Sequence, residues 1–232
     1  MNCNNTHSGE ALRLKALEIL NNLEGFVIGM KLPATPIIIQ EYGQNPFLIL
    51  ISCLLSLRTK DVVSLPVSRR LFDLAQTPHD MANLPLDLIE HTIHSVGFYK
   101  TKARTIRDVS WHICDRFAQK VPPDESDLLS LPGVGRKTMN LVRSAAFDLP
   151  AICVDVHVHR ISNRLGLVTT DTPEQTEKAL LELLPKEKWS QVNRLLVTLG
   201  QNVRIPSIVP VGQCSHCALM LQLNTIGAIK DE

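Results

Sequence analysis

Apolar residues recur at helical spacing along most of this chain. Between residues 10 and 23 they occupy positions 12, 16, 19, 20 and 23, which form one stripe of an amphipathic helix. The segment FLILISCLLSL at 47–57 follows Asn45-Pro46, a helix-start signal, and is apolar on nearly every side, so it predicts a buried central helix. The sequence contains no alternating strand pattern, low-complexity segment or internal repeat. The pattern therefore predicts an all-α fold.

The remaining helices follow from the same signals. They are predicted to start at Thr77-Pro78 and to cover 85–96, 99–117, 124–130, 135–147, 156–166, 172–184 and 188–203. Pro66 interrupts the segment VVSLPVSRRLF, because proline lacks the backbone N–H that a helix interior needs. Two alternatives stay open there: the helix starts at Ser64, or it is kinked at Pro66.

A glycine-containing turn, LPGVG at 131–135, opens the helix that starts at 135. Two glycines let the backbone adopt a positive φ and approach a ligand closely, and the N-terminus of the following helix favours an anion such as a DNA phosphate. A plain hairpin with glycine caps is the alternative. Arg136 and Lys137 favour the functional interpretation, because cations are unfavourable at a helix N-terminus. We expect Gly133 and Gly135 to need a positive φ or a closely bound phosphate.

Lys137 and Asp155, eighteen residues apart, are the candidate catalytic residues. A lysine amine, once neutral, can attack C1′ of a nucleotide and form a Schiff base that eases β-elimination. A carboxylate can stabilise positive charge on the sugar and help to move protons. The structural alternatives are a surface lysine and a helix N-cap, and we expect Asp155 to serve as cap and catalyst together.

Two pairs of segments resemble the helix–hairpin–helix, Gly/Pro-Asp superfamily of DNA glycosylases, and within it the endonuclease III-like enzymes. They are LPGVGRKT at 131–138 with VDVHVHR at 154–160, and LLSLRTKD at 54–61 with VGFYKTKA at 96–103. The resemblance extends from about Leu12 to Cys217 and includes the lysine-to-aspartate spacing. It implies base flipping and a base excision repair enzyme that acts on damaged pyrimidines and abasic sites in double-stranded DNA.

The resemblance also implies the arrangement of the chain. A six-helix domain with the helix–hairpin–helix is expected at 39–150, and a second helical domain at 1–38 and 151–232, with a degenerate cluster loop near 204–223. Lys137 and Asp155 are expected to meet in the cleft between the domains. The residues expected to contact DNA are Arg58, Phe98, Tyr99, Lys100, Leu131, Gly133, Val134, Gly135, Arg136, His157 and Arg160.

Arg58 and Phe98 occupy the positions where these enzymes commonly present a glutamine and a leucine to the gap left by the flipped base. Arg58 can hydrogen-bond the orphaned base and prefers guanine through its planar fork. Phe98 is a larger wedge that can stack between bases, and core packing is its structural alternative. These departures bear on the opposite-base preference and not on the lyase chemistry.

The C-terminus departs from the family pattern of four cysteines that hold a [4Fe–4S] cluster. Only Cys214 and Cys217 keep the central C-x2-C, and the outer positions are Ser207 and Leu223. Because a cluster needs four thiolates, we expect no iron–sulfur cluster and no cofactor. Zinc is the alternative for this pair, but adjacent His216 and Cys217 make a poor tetrahedral pair. A turn with two reduced thiols is the favoured prediction, and no metal site is expected.

Composition agrees with a DNA enzyme without requiring one. The net charge is only +1 and 44% of residues are hydrophobic, so DNA binding must come from a few placed contacts. Residues 97–107 contain Lys100, Lys102, Arg104 and Arg107 and no acid, which is either a DNA-binding patch or an exposed helix face. No membrane span or signal peptide is evident, so we expect the protein in the cytoplasm, associated with the nucleoid if the source is prokaryotic. We also expect a monomer.

Three functions remain open at this point. The first is a bifunctional glycosylase and abasic-site lyase. The second is a monofunctional glycosylase in which Asp155 activates water, and the third is a non-catalytic helix–hairpin–helix module that binds DNA. Lys137 favours the first over the second, because monofunctional relatives usually carry another residue there. Asp155 together with Lys137 argues against the third.

Overall fold

The computed structural model of the protein describes residues 4–203, and side-chain surroundings from residue 10 onward. Within that range the chain forms helices and no strand, which confirms the predicted all-α class. In chain order the helices are α1 (Asn4–Phe26), α2 (Ala34–Tyr42), α3 (Pro46–Ser56), α4 (Asp61–Phe72), α5 (Pro78–Asn83), α6 (Leu86–Ile93), α7 (Tyr99–Arg116), α8 (Glu125–Leu129), α9 (Arg136–Ala146), α10 (Val156–Arg164), α11 (Pro173–Leu183) and α12 (Lys186–Asn202). None of these helices combines the length and apolar character needed to cross a bilayer.

Helix α3 lies at the centre of one compact unit, which spans Leu32–Ala151 and contains α2 to α9. Every residue of α3 from Phe47 to Leu55 is buried, as its all-round apolar sequence predicts. The Asn45 side chain caps this helix by accepting hydrogen bonds from the amides of Phe47 and Leu48, at 3.0 and 3.3 Å. The core of this unit therefore surrounds one buried helix, and the residue directly before that helix caps its start.

A second compact unit combines residues 1–31 with Ile152–Glu232, and its described part contains α1, α10, α11 and α12. Apolar side chains of these helices form a separate core, in which Leu20, Leu23 and Leu195 are buried. The Asn202 side chain accepts a hydrogen bond from the Lys31 amide (3.2 Å) and donates one to the Lys31 carbonyl (2.9 Å). Segments 171 residues apart are therefore joined directly.

Two features of the helices differ from the sequence expectations. Helix α2 was not predicted, because its run of three isoleucines carries no clear amphipathic stripe. Helix α4 starts at Asp61 and continues through Pro66, so the alternative start at Ser64 is wrong. Because proline has no backbone N–H, the carbonyl of Val62, four residues before Pro66, receives no helical hydrogen bond. Pro66 and Val62 are both exposed, so water can solvate that carbonyl.

The predicted boundaries of the two domains, 39–150 against both termini, stay a prediction. The expected cluster loop near 204–223, with Cys214 and Cys217, lies outside the described residues.

Candidate nucleic-acid site

The turn between α8 and α9 has the geometry expected of a ligand-binding hairpin only at its first glycine. Gly133 has a φ of +73°, and a Cβ added there would lie 2.5 Å from Cγ2 of Thr105 on α7. Gly135 has a φ of −99° and open space where a Cβ would be. A positive φ was thus correctly expected at Gly133 but does not occur at Gly135, where a closely bound phosphate stays a prediction beside the alternative of a plain glycine cap.

The apolar residues of this turn face the core of their unit. Leu131 and Val134 are buried, and the Val134 amide donates to the Leu131 carbonyl at 3.2 Å. Their predicted DNA contacts can therefore involve only backbone atoms. Gly135, the N-cap of α9, provides no side-chain acceptor for the first amides of that helix. The positive end of α9 therefore lies beside exposed residues, Gly135, Arg136 and Lys137.

Lys137 lies in the first turn of α9, and its side chain is exposed. It forms no ion pair with any residue in the described range. Cys53 of α3 lies within range of its charge. Burial raises the pKa of the Cys53 thiol to about 12, although the positive charge of Lys137 opposes that rise. The Cys53 thiol therefore stays protonated, and the exposed lysine amine remains the candidate nucleophile.

Asp155 belongs to the other unit and is the N-cap of α10, as predicted. Its Oδ1 accepts hydrogen bonds from the amides of His157 and Val158, both at 2.9 Å. Oδ2 makes no hydrogen bond to a residue between 10 and 203. The carboxylate is half-buried. Capping thus fixes the side chain through one oxygen and leaves the second available for chemistry.

His157 and Arg160 follow on α10. Nδ1 of His157 lies 3.3 Å from Nη2 of Arg160, and a Cβ added to Gly200 of α12 would come within 2.6 Å of the same ring nitrogen. His157 is therefore positioned by close packing of α12 on α10. Arg160 is exposed and can reach a phosphate.

Arg58 and Phe98 lie close together in space, and both have unusual backbone conformations. Both are non-glycine residues in the left-handed region, with φ values of 53° and 58°. The Arg58 guanidinium carbon lies 5.8 Å from the centre of the Phe98 ring, a cation–π arrangement. Phe98 is 66% exposed, so the alternative that it packs in the core is wrong. The two expected wedge residues are brought together on one surface.

The predicted basic patch of four residues does not form as expected. Lys100 and Arg104 are exposed and Arg107 is half-exposed, but Lys102 is buried. Tyr99 is half-buried and packs against the core of its unit. The reason for the error is periodicity: α7 buries positions 102, 106, 109 and 113, so its apolar face includes the lysine.

The sequence analysis placed Lys102 in the basic patch and missed its buried role, and it did not identify Thr105 at all. The Lys102 ammonium donates hydrogen bonds to the carbonyls of Leu55 and Leu57, each at 2.7 Å, and to Oγ1 of Thr59 at 3.0 Å. Burial lowers the pKa of Lys102 to about 8. Thr105 underlies the hairpin glycine. A helical-period analysis would have placed Lys102 inside, but no sequence signal identifies the contact of Thr105.

Comparisons of the sequence with known proteins identify its family and its relatives. A sequence model described as "HhH-GPD superfamily base excision DNA repair protein" matches residues 51–186. The "Endonuclease III" of Thermotoga maritima is 41% identical over 176 residues, which cover 75% of this chain and 83% of that protein.

Two solved structures of relatives in complex with DNA are also similar. A non-covalent endonuclease III–DNA complex matches with a TM-score of 0.74 and 34% identity, and the match covers 89% of this chain and 94% of the other. A trapped endonuclease III–DNA covalent intermediate, an estranged-adenine complex, matches with a TM-score of 0.70 and 32% identity, covering 90% and 98%.

Proposed function

This chain belongs to the HhH-GPD superfamily of base excision DNA repair proteins, and from that membership we infer that it is a DNA glycosylase with an associated abasic-site lyase activity, of the endonuclease III type. We propose that its substrates are damaged pyrimidines and abasic sites in double-stranded DNA. The observation that carries the lyase assignment is an exposed lysine, Lys137, in the first turn of a helix that directly follows a positive-φ glycine turn. We further propose that the protein acts as a monomer in the cytoplasm, associated with the nucleoid if its source is prokaryotic.

The hairpin is proposed to hold a DNA phosphate. The first amides of α9 have no side-chain cap, and the apolar side chains of the turn, Leu131 and Val134, are buried. The open space at Gly135 lets a phosphate approach the backbone, and the positive end of α9 attracts it. Such contacts position DNA without reading its sequence. Arg136 and Lys137 would add charge at the same place.

Lys137 is proposed to attack C1′ of a nucleotide that has been flipped out of the duplex. Only the neutral form of its amine has the lone pair that attack requires. Attack expels the base and leads to a Schiff base, from which β-elimination releases the 3′ phosphate. The relative captured as a covalent intermediate with DNA supports this route.

Asp155 is proposed to stabilise positive charge on the sugar in the same reaction. The cap on α10 fixes Oδ1, so the direction of the carboxylate is set before DNA binds. An oriented charge that needs no rearrangement is the usual source of strong electrostatic stabilisation. The second oxygen, Oδ2, is available for transferring protons.

Arg58 and Phe98 are proposed to occupy the gap that the flipped base leaves. The exposed aromatic ring can stack between neighbouring bases, and the adjacent guanidinium can hydrogen-bond the orphaned partner. Guanine suits an arginine because it presents two acceptors to the fork. We therefore propose a preference for lesions opposite guanine.

Borohydride trapping is the experiment that tests the lyase function. The protein is incubated with duplexes that carry an abasic site, thymine glycol or uracil, and borohydride is added to reduce any Schiff base. We expect a covalent protein–DNA complex with the abasic and thymine glycol duplexes. Base release without any trapped complex would instead favour the monofunctional mechanism with Asp155-activated water. Binding without base release or strand cleavage would favour the non-catalytic module.

The two hairpin glycines are expected to respond differently to substitution by alanine. Gly133→Ala should lower thermal stability, because a left-handed alanine costs about 1–3 kcal/mol and its Cβ would meet Thr105. Gly135→Ala should fold as the wild type does but weaken binding to abasic DNA by roughly 1–3 kcal/mol, since the methyl group occupies the space of the phosphate.

Thermal unfolding and DNA titration measure these two effects separately. Gly25→Ala is the matched control, because Gly25 also has open space around it but lies in α1. It should change neither DNA affinity nor strand cleavage. If Gly135→Ala binds abasic DNA as tightly as the wild type, the hairpin is not the phosphate site.

We propose that the protein functions without an iron–sulfur cluster. Its six cysteines include only one clustered pair, Cys214 and Cys217. Cys53 and Cys153 are buried, in the first and second of the two units respectively. Among the described residues no group of three or more potential ligands is placed to hold a metal. This donor set does not fit a group that needs four thiolates.

Purified protein is therefore expected to lack the visible absorbance of iron–sulfur proteins and still to cleave abasic DNA. Changing Cys214 and Cys217 together to serine should cost little activity. Elemental analysis decides the question, because a cluster would contribute about four irons per chain. One zinc per chain would instead support the second alternative, with the cysteine pair as half of its ligands.

A further inference from the structure

Lys102 is the one buried cation of α7, and its three hydrogen bonds all reach the end of another helix. The residue is 9% exposed. Its acceptors are the Leu55 carbonyl, the Leu57 carbonyl and Oγ1 of Thr59, which surround the C-terminus of α3. An ammonium group has three donors, so this arrangement uses every one.

The acceptors explain why a charge is kept inside the protein. No carboxylate is among its hydrogen-bond partners. The last carbonyls of a helix carry partial negative charge and lack partners within the helix, so a lysine near them is stabilised twice. A buried and fully satisfied polar group fixes geometry more sharply than an apolar contact, because moving it leaves donors unpaired.

The same residue also lies in the first turn of its own helix, next to the loop of Phe98. The backbone amide of Lys102 donates to the Phe98 carbonyl at 3.0 Å. Its side chain acceptors flank Arg58 on both sides. A Cβ added to Gly97 would lie 3.5 Å from the Arg58 carbonyl, so the two loops are in close approach. Lys102 therefore connects the loop of Arg58 to the loop of Phe98.

Strain at both loops indicates that something must hold them. A left-handed conformation costs a non-glycine residue about 1–2 kcal/mol, and it persists only where the surroundings enforce it. Arg58 and Phe98 both adopt it and lie within cation–π distance of each other. The ammonium of Lys102 hydrogen-bonds to the residues on either side of Arg58 and not to the side chains of Arg58 or Phe98.

We propose that Lys102 is a positioning residue that sets the distance between Arg58 and Phe98, and thereby the protein's reading of the base opposite the lesion. The proposal rests on the function proposed above for that pair. Lys102 does not touch DNA; it acts through the two loops. Without the hydrogen bonds of Lys102, Arg58 and Phe98 relax from the left-handed conformation. The Phe98 ring then no longer stacks between the bases, and Arg58 no longer reaches the orphaned base.

The test compares Lys102→Met with Lys100→Met. Methionine keeps most of the aliphatic stem and removes all three donors, whereas Lys100 is an exposed cation two residues earlier on the same helix. Excision is measured on four duplexes that differ only in the base opposite the lesion. Lys102→Met should lose roughly tenfold or more on the preferred duplex and much less on the others, since small misplacements of positioning groups carry such costs. Lys100→Met should weaken all four equally.

Two further readouts separate positioning from a general loss of structure. Borohydride trapping on single-stranded abasic DNA needs Lys137 but no wedge, so Lys102→Met should stay close to the wild type. Fluorescence of 2-aminopurine placed opposite an abasic site reports unstacking of the orphaned base and needs only binding. The rise that the wild type produces should be reduced in Lys102→Met.

An unchanged opposite-base preference together with an unchanged 2-aminopurine signal in folded Lys102→Met would overturn the proposal. If that variant does not fold, Thr59→Val decides, because it removes one of the three acceptors and keeps the lysine. Thr59→Val should change the opposite-base preference and the 2-aminopurine signal in the direction expected for Lys102→Met, by a smaller factor. If neither of them changes, the proposal is rejected. A wild type that binds DNA and gives the fluorescence change but is never trapped would refute the lyase and leave this inference standing. A wild type with no fluorescence change on bound DNA would refute the inference itself.

Discussion

Lys137→Gln is expected to abolish borohydride trapping on abasic DNA and to leave DNA affinity within a few-fold of the wild type. Glutamine keeps the length and polarity of the side chain at the start of α9 but has no amine to form a Schiff base. Strand cleavage by β-elimination should fall on the order of a thousandfold or more, because no second nucleophile replaces it. Gel quantification of the trapped complex and a binding titration on the same duplex measure the two quantities.

Lys120→Gln is the matched control for this substitution. Lys120 is also an exposed lysine of the Leu32–Ala151 unit, and it lies outside the hairpin, after the end of α7. Its replacement should leave trapping unchanged. Undiminished trapping in Lys137→Gln would assign the Schiff base to another amine and remove the central step of the proposed mechanism.

Asp155→Asn is expected to lower base excision by about a hundredfold or more while leaving the protein folded. Asparagine is as good an N-cap as aspartate, so an oxygen can still accept from the amides of His157 and Val158. Only the negative charge is lost, and removing a preorganised electrostatic contact typically has an effect of this order. Single-turnover excision and thermal unfolding are measured on the same preparation.

Asp155→Ala and Thr172→Ala separate the cap from the chemistry. Asp155→Ala removes the cap and the negative charge together. The variant should therefore lose activity as Asp155→Asn does, and its free energy of unfolding should also fall by about 1 kcal/mol. Thr172 caps α11 through a capping box and is not part of the proposed site. Thr172→Ala should therefore lose similar stability and keep full excision. Wild-type excision by Asp155→Asn would show that the aspartate is a cap only.

Local signals were sufficient for much of the fold and for the core of the candidate site. Helix starts at Asn45, Thr77, Asp155 and Thr172 were readable because a capping side chain lies within three residues of the amide that it binds. The hairpin and the position of Lys137 could be predicted for the same reason, because a glycine turn followed by a helix start involves only a few consecutive residues. Helix α2 was missed, since its stripe is indistinct over nine residues.

The sequence by itself determined the all-α class, most helix starts and the chemistry available at Lys137 and Asp155. Only the tertiary structure decided which residues share a surface. Arg58 and Phe98 are brought together, and Lys102 is turned inward, by contacts between segments up to 47 residues apart. The necessity of glycine at position 133 likewise depends on Thr105 of another helix. Capping energies act within one helical turn, whereas burial and left-handed strain are decided by whatever packs against a residue.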